Sequence, residues 1–240
     1  DDDDAFPLDA TETADSDADG TGNNADTDDD NDGVNDVDDA YPLDATLWSM
    51  KIEDALAGIV DDNLRTCLTE VTGDVLQVAE VTVLECSSRQ IIDLTGLSSF
   101  TSLVNLNLYD NQIVDITSIA ALKNLDGLSL ITNKVSDLSP LSGLINLSGF
   151  LGLDSNQITD ISPLVGLVNL DTLRLFNNQV SDLSPLSELP ALTDLDLRSN
   201  QLCDLTPLSG LTNLTYLSLS NNQLITAAPL SNLVSLTKLD

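Results

Sequence analysis

One asparagine recurs along most of this chain at an almost fixed interval. Asn111, Asn133, Asn156, Asn178, Asn200 and Asn222 are separated by 22, 23, 22, 22 and 22 residues. Around each, the text reads LxxLxLxxNQ(I/V/L)xDLxPLxxLxN. Leu192-Thr193-Asp194-Leu195-Asp196-Leu197-Arg198-Ser199-Asn200, continuing to Pro207 and Leu208, is one unit. A period of this kind puts equivalent residues in equivalent surroundings, one coil stacked on the next. In LxxLxL the alternation sends Leu inward and the intervening residues outward, so each coil adds a short strand to a parallel sheet and its leucines to a shared core. The Asn side chain turns inward to satisfy backbone groups where the chain leaves the strand. Ser139-Pro140, Ser162-Pro163, Ser184-Pro185 and Thr206-Pro207 suit an N-cap followed by proline at the first helical position. Short helical turns are therefore predicted on the opposite, convex side. Asp115, Asp137, Asp160, Asp182 and Asp204 precede those turns, where a carboxylate complements the dipole.

This pattern is the leucine-rich repeat, and over roughly residues 81–240 the 22-residue period with its DLSPL tail resembles the internalins and related bacterial surface proteins. The fold class expected is an α/β solenoid: a horseshoe with a parallel concave sheet, short helical turns on its convex side, a helical N-terminal cap and a largely irregular N-terminal arm. Departures from the pattern carry expectations of their own. The 23-residue gap falls at Ser148-Gly149-Phe150, where a bulge should interrupt the sheet. Arg89 stands where the first coil would have its Asn, and Thr226 replaces the Asp in the last full turn.

A solenoid exposes its core at each end and needs caps. Residues 47–80 fit the N-terminal cap, with Ile52, Leu56, Ile59, Val60, Leu64 and Leu68 at helical spacing and Trp48 packing beside them. Cys67, in the cap helix, and Cys86, in the first strand, should lie near each other. They form either a disulfide, which an outer-surface setting favours, or a reduced buried pair. Cys203 is left as a free thiol with no base to activate it. At the other end the text stops inside a strand at Leu239-Asp240, so the natural protein is expected to continue. These residues include no initiator Met or signal peptide, so any export signal is expected to have been removed or to lie outside them.

The acid is unevenly spread. The 240 residues carry a formal net charge of −32 from 40 acidic and 8 basic side chains, with no His. Residues 1–46 hold 18 of the acids and no Lys or Arg. Such a run is ordinarily a solvated tail, but the spacing points elsewhere. DSDADGTGNNAD places Asp15, Asp17, Asp19 and Asp26 at loop positions 1, 3, 5 and 12, with Gly20 at 6; DDDNDGVNDVDD places Asp28, Asp30, Asp32 and Asp39 likewise, with Gly33 at 6. Calcium takes six to eight oxygens, which alternate residues of a curled loop supply, and Gly permits the sharp turn. Thr21 and Val34 would donate carbonyls at position 7, and Asn23 and Asp36 at position 9 would bind directly or through water. Asp4-Ala5-Phe6-Pro7-Leu8-Asp9-Ala10-Thr11 recurs as Asp39-Ala40-Tyr41-Pro42-Leu43-Asp44-Ala45-Thr46, with Asp1 and Asp4 matching Asp36 and Asp39. Residues 1–46 thus resemble the thrombospondin type 3 repeats of bacterial surface and secreted proteins. The resemblance implies an arm that wraps calcium as its cofactor and stiffens when loaded.

Function is read by exclusion and by the sheet. The charge would be repelled by phosphate and by an anionic membrane surface, so neither nucleic acid nor membrane insertion is expected. Chemistry that needs His is impossible. Outward strand positions form three columns on the concave face, where Tyr109, Ile131, Phe176, Arg198 and Tyr216 are the aromatic, apolar and arginine anchors that partner surfaces use. Arg174 should face Asp196, and Arg198 should sit beside Phe176. Asp194 and Asp196 form a carboxylate pair, but a flat face should offer no pocket to desolvate them, so no enzyme is expected. The expectation is an extracellular or cell-surface protein with a calcium-binding arm (1–46), a helical cap (47–80) and a solenoid (81–240) that binds a protein or other surface macromolecule. The alternatives are a non-catalytic spacer or substrate-binding region of a larger secreted hydrolase, and a purely structural role. The residues leave the oligomeric state open.

Overall fold

The computed structural model describes residues 5–240; the expected match of Asp1 and Asp4 to Asp36 and Asp39 lies outside them. Among the described residues, eight short parallel strands follow one another in strict chain order: β1 Val83–Glu85, β2 Asn105–Asn107, β3 Gly127–Ser129, β4 Phe150–Gly152, β5 Thr172–Arg174, β6 Asp194–Asp196, β7 Tyr216–Ser218 and β8 Lys238–Leu239. Their register aligns Leu84, Leu106, Leu128, Leu151, Leu173, Leu195, Leu217 and Leu239 in one row. Every member of that row is buried except Leu239, on the last coil. The aliphatic side chains of successive coils merge into one continuous core that also takes in the cap.

Each coil closes through its Asn. Asn178 Nδ2 donates to the Leu153, Leu175 and Phe176 carbonyls at 2.9, 3.2 and 3.4 Å, while its Oδ1 accepts the Ile158 N–H at 3.0 Å. Leu153 and Ile158 belong to the preceding coil, so each amide fastens two coils together. The same bonding recurs from Asn111 to Asn222. The residue before each Asn (Asp110, Thr132, Ser155, Asn177, Ser199, Asn221) has φ between 53° and 58°, the left-handed conformation that turns the amide inward.

The convex turns are 3₁₀, three to five residues long, as in Ser139–Leu141 and Ser184–Glu188. The expected Ser and Thr caps are corrected here. The Ser or Thr is the first residue of the turn, and the capping oxygen comes from the Asp two residues earlier. Asp182 Oδ1 accepts the Ser184 N–H at 2.8 Å and the Ser184 hydroxyl at 2.6 Å, and Asp115, Asp137, Asp160 and Asp204 repeat the contact. These bonds hold the Asp115, Asp182 and Asp204 carboxyls below their ordinary range. Thr226 does the same work with its hydroxyl, accepting the Ala228 N–H at 3.1 Å.

The extra residue near Phe150 does not break the sheet. Thr193 and Asp194 share the Asp171 carbonyl, whereas the equivalent Asp171 and Thr172 bond separately to Ser148 and Gly149. The bulge is absorbed at strand entry, and β4 pairs on both sides.

The cap is two helices, α1 Ile52–Ala57 and α2 Asp62–Thr72, because the chain turns at Gly58. That break overturns the expectation of one continuous helical stripe, leaving Val60 60% exposed while the neighbouring Ile59 is buried; Trp48, ahead of α1, is 39% exposed and its neighbour Leu47 is buried instead. Cys67 of α2 and Cys86, just after β1, are joined as a disulfide with Cα atoms 5.8 Å apart; Cys203 is free and exposed. Asp61 joins cap to solenoid. Its Oδ1 accepts the Asn63 and Leu64 N–H groups of α2 at 2.8 and 3.0 Å, and its Oδ2 accepts Ile92 and Asp93 N–H at 2.8 and 3.2 Å. Burial pushes this carboxyl up, but the four N–H bonds together outweigh it and hold the group below its ordinary value. A lowered carboxyl contributes stability above the unfolded-state pKa and loses it as pH falls through the folded one. Asp61→Ala is therefore expected to cost about 2–3 kcal/mol at neutral pH, a deficit that shrinks in denaturation curves run below about pH 4.

Candidate functional site

Two places gather the residues that sequence spacing singled out. The first is the arm, which has neither helix nor strand between residues 5 and 50. Its two loops repeat each other bond for bond. The position 6 N–H groups of Gly20 and Gly33 donate to the position 1 carboxylates of Asp15 and Asp28 at 3.2 and 3.1 Å. Position 4 (Ala18, Asn31) and position 6 (Gly20, Gly33) are both left-handed, which curls the chain so that positions 1, 3 and 5 face one another. Asp15, Asp17 and Asp19 place one carboxylate oxygen each within 4.8 Å of the others, and so do Asp28, Asp30 and Asp32. Asn23 and Asp36 are used as braces: each Oδ1 accepts a position 2 N–H, from Ser16 and Asp29, at 3.0 and 2.9 Å. Thr21 and Val34 donate their N–H groups to Asp19 and Asp32 at position 5.

The second loop carries the sharper electrostatic signature. Asp28 Oδ1, Asp30 Oδ2, Asp32 Oδ2 and Asp39 Oδ2 are all shielded from solvent and lack a hydrogen-bond partner among the described residues. They are the carboxylates of positions 1, 3, 5 and 12. Burial, with Asp32, Asp39 and Asp28 nearby, raises the Asp30 carboxyl. Unpaired anionic oxygens converging on one space are costly alone, and an oxygen-seeking divalent cation is the partner their chemistry fits. In the first loop only Asp15 Oδ1 shows this state, and Asp26 Oδ1 is taken by the Thr27 and Asp28 N–H groups. Spacing did not single out Asp29. Its Oδ1 is also unpaired, and its carboxyl is raised by burial and by Asp36, Asp26 and Asp17. Only the folding of one loop against the next brings these together.

The second place is the concave sheet. Tyr109 is 44% exposed, and Ile131, Phe176, Arg198 and Tyr216 are half-buried on the same face. Arg198 lies over the Phe176 ring at 4.9 Å, and Lys238 over Tyr216 at 4.6 Å. Arg174 reaches Asp196 at 3.3 Å, in the register expected, and also Asp154 at 3.5 Å. The stronger partner of Asp196 is Arg198, whose Nε and Nη2 grip the carboxylate at 2.9 and 2.6 Å and whose own proton is held more tightly as a result.

The expectation that this face desolvates no carboxylate is wrong. Asp196 is fully buried and Asp154 is 6% exposed. Burial raises the Asp154 carboxyl despite the Phe176 N–H and Arg174, and raises Asp194 as well. The long arginine side chains cover the acids, a packing that strand alternation does not encode. Both acids are tied to guanidinium groups. Phe150, 36% exposed, joins the anchors as a residue the bulge had made hard to place.

A leucine-rich-repeat family model, two copies long, matches residues 150–188 and 168–210. An internalin (inlF) from Listeria monocytogenes is 34% identical over 77% of this chain, with a TM-score of 0.74, and the chain spans 57% of that protein's length. Internalin C2 (inlC2) from Listeria monocytogenes is 32% identical over 78% of this chain and 95% of its own, with a TM-score of 0.64. A leucine-rich-repeat protein of Leptospira interrogans is 31% identical over 60% of this chain and 38% of its own, at 0.57. No curated protein matches.

Proposed function

The chain belongs to the internalin-like leucine-rich-repeat family, and on that premise we propose that it is a secreted or cell-surface module whose concave sheet docks a protein or other surface macromolecule. The observation that carries this reading is the distribution of aromatics. The chain has only 4 Phe, 3 Tyr and 1 Trp, and four of those eight (Tyr109, Phe150, Phe176 and Tyr216) stand at outward positions of one sheet face. A rigid sheet loses little freedom on binding, so such anchors convert into affinity with small ordering cost. The buried acids between them are neutralised by Arg174 and Arg198, which suits a recognition surface better than acid–base chemistry. Against a captured partner, the double variant Tyr109→Ala/Phe176→Ala is expected to lose at least tenfold in affinity. Ile145→Ala, at an exposed position outside the sheet, should change nothing. Undiminished binding by the double variant sinks the concave assignment.

We further propose that the arm is a calcium-binding stalk. Asp28, Asp30, Asp32 and Asp39 would hold one ion, and Asp15, Asp17, Asp19 and Asp26 another, with the carbonyls of Val34 and Thr21. Bound calcium supplies positive charge that offsets the mutual repulsion of these carboxylates. The chain's own contribution is to present the oxygens on curled backbone and to relay order to the cap. Asp39 Oδ1 accepts the Tyr41 N–H at 2.7 Å, the Tyr41 hydroxyl donates to Asp54 of α1 at 3.0 Å, and Lys51 lies 5.3 Å from the Tyr41 ring. A chelator is expected to raise the hydrodynamic radius reversibly while the far-ultraviolet signature of the solenoid stays put. A radius indifferent to chelator counts against the stalk.

A further inference from the structure

The regular columns of the concave face are broken at Gly127, where other strands carry Asn105, Phe150, Thr172, Asp194 and Tyr216. The missing side chain opens a hollow of about 350 Å³ whose walls include Tyr109, Ile131 and Phe150 and whose polar groups include Glu85 and Asn105. Its far wall is tightly set. Phe150 and Ile131 lie over Gly152, where an added Cβ would stand 2.6 Å from the Phe150 ring and 2.8 Å from Ile131 Cδ1. The bulge at Ser148 and Gly149, which brings Phe150 into β4, helps to shape this wall.

Resting on the docking reading above, we infer that this hollow receives the side chain of a lysine or arginine protruding from a basic segment of a protein partner. Three observations select that occupant. The walls are aromatic and aliphatic, which suits the apolar stem of a long cationic side chain and the ring attraction of its head. The one ionisable side chain with a full charge at the hollow is Glu85, which is exposed and whose Oε2 accepts the Asn107 amide at 2.7 Å, leaving acceptor capacity free. No basic residue lines it. The face as a whole is also acidic: Glu85, Asp154, Asp194, Asp196 and Asp240 outnumber Arg174, Arg198 and Lys238 among the described residues, and the two arginines are already spent on Asp154 and Asp196. An acidic or phosphorylated partner would meet repulsion here, and a neutral apolar one would bring Glu85 no counter-charge.

The test is a site-resolved amide NMR titration of the whole chain, with calcium present and at physiological salt. The probes are end-blocked pentapeptides Gly-Ser-X-Ser-Gly with X as Lys, Arg, Leu or Glu. Lys and Arg peptides are expected to shift Gly127, Ile131, Phe150 and Gly152 saturably, with Leu at least fivefold weaker and Glu inert. Glu85→Gln should weaken the Lys peptide at least fivefold. Gly127→Val should abolish its effect at these amides; the new side chain displaces only the flexible Asn105 amide, and an unchanged spectrum elsewhere confirms the fold. Leu binding as well as Lys, or Lys shifts that survive Gly127→Val, overturns the inference. Shifts confined to other concave strands overturn it while leaving the docking reading intact, and shifts confined to the convex turns overturn both.

Discussion

Asn178→Ala is expected to cost about 2–4 kcal/mol of unfolding free energy, among the larger losses a single substitution in this chain would bring. The reason is the number of backbone groups that depend on one amide. Removing it leaves the Ile158 N–H without its acceptor and takes one donor from the Leu153, Leu175 and Phe176 carbonyls, which keep Asn156 Nδ2, Asn200 Nδ2 and the Ser155 N–H. Ile158 lies in the dry interior, where water cannot replace the lost partner. Asn178→Asp tests which half of the amide matters, because it keeps the acceptor for Ile158 and loses the donor for three carbonyls. It should be at least as damaging. Asn222 makes the same bonds on the last full coil but is only half-buried, so Asn222→Ala should cost clearly less. Denaturant unfolding measures all three. Equal, small losses at both positions would mean that the amides decorate the coils rather than fasten them. A solenoid couples only neighbouring coils, so the central variant should also separate the unfolding of the two halves into distinct steps.

Arg198→Ala is the second large effect, expected at about 3 kcal/mol, because it leaves a fully buried Asp196 carboxylate with only the backbone N–H of residue 198 and the more distant Arg174. The loss belongs to the stranded charge and not to the ion pair as such. The discriminating comparison is therefore Asp196→Ser/Arg198→Ala. Serine already occupies the adjacent column position at Ser218, also fully buried, so the double variant should recover most of the stability lost by the single one. A double variant no more stable than Arg198→Ala would indicate that the guanidinium over the Phe176 ring, at 4.9 Å, is what holds this part of the face.

How much of this was legible beforehand follows from the range of each interaction. The acidic loops, the strands, the turns and the Asn ladder each depend on spacings of a few residues or on one fixed period, so counting along the chain places them. The facing of Arg174 and Asp196 was legible for the same reason, since strand register and coil length set it together. The N-terminal cap was read too smoothly. Apolar spacing suggested one stripe, but Gly58 redirects the chain and leaves Val60 in solvent. The left-handed residue ahead of each Asn carries no sequence signature, since Asp, Thr, Ser and Asn all occupy it. Asp29 went unnoticed because its neighbours Asp36, Asp26 and Asp17 come from both loops.

The residue order alone determined that equal coils stack, that leucines share one interior, and that acidic loops curl around a common centre, because periodicity and alternation act on every unit alike. Only the tertiary structure decided which concave acids are buried, which arginine covers them, and that Gly127, Phe150 and Glu85 frame a hollow. Those outcomes rest on side chains from neighbouring positions and from adjacent coils competing for the same space, and such competition is settled by shape and charge at close contact rather than by any pattern along the chain.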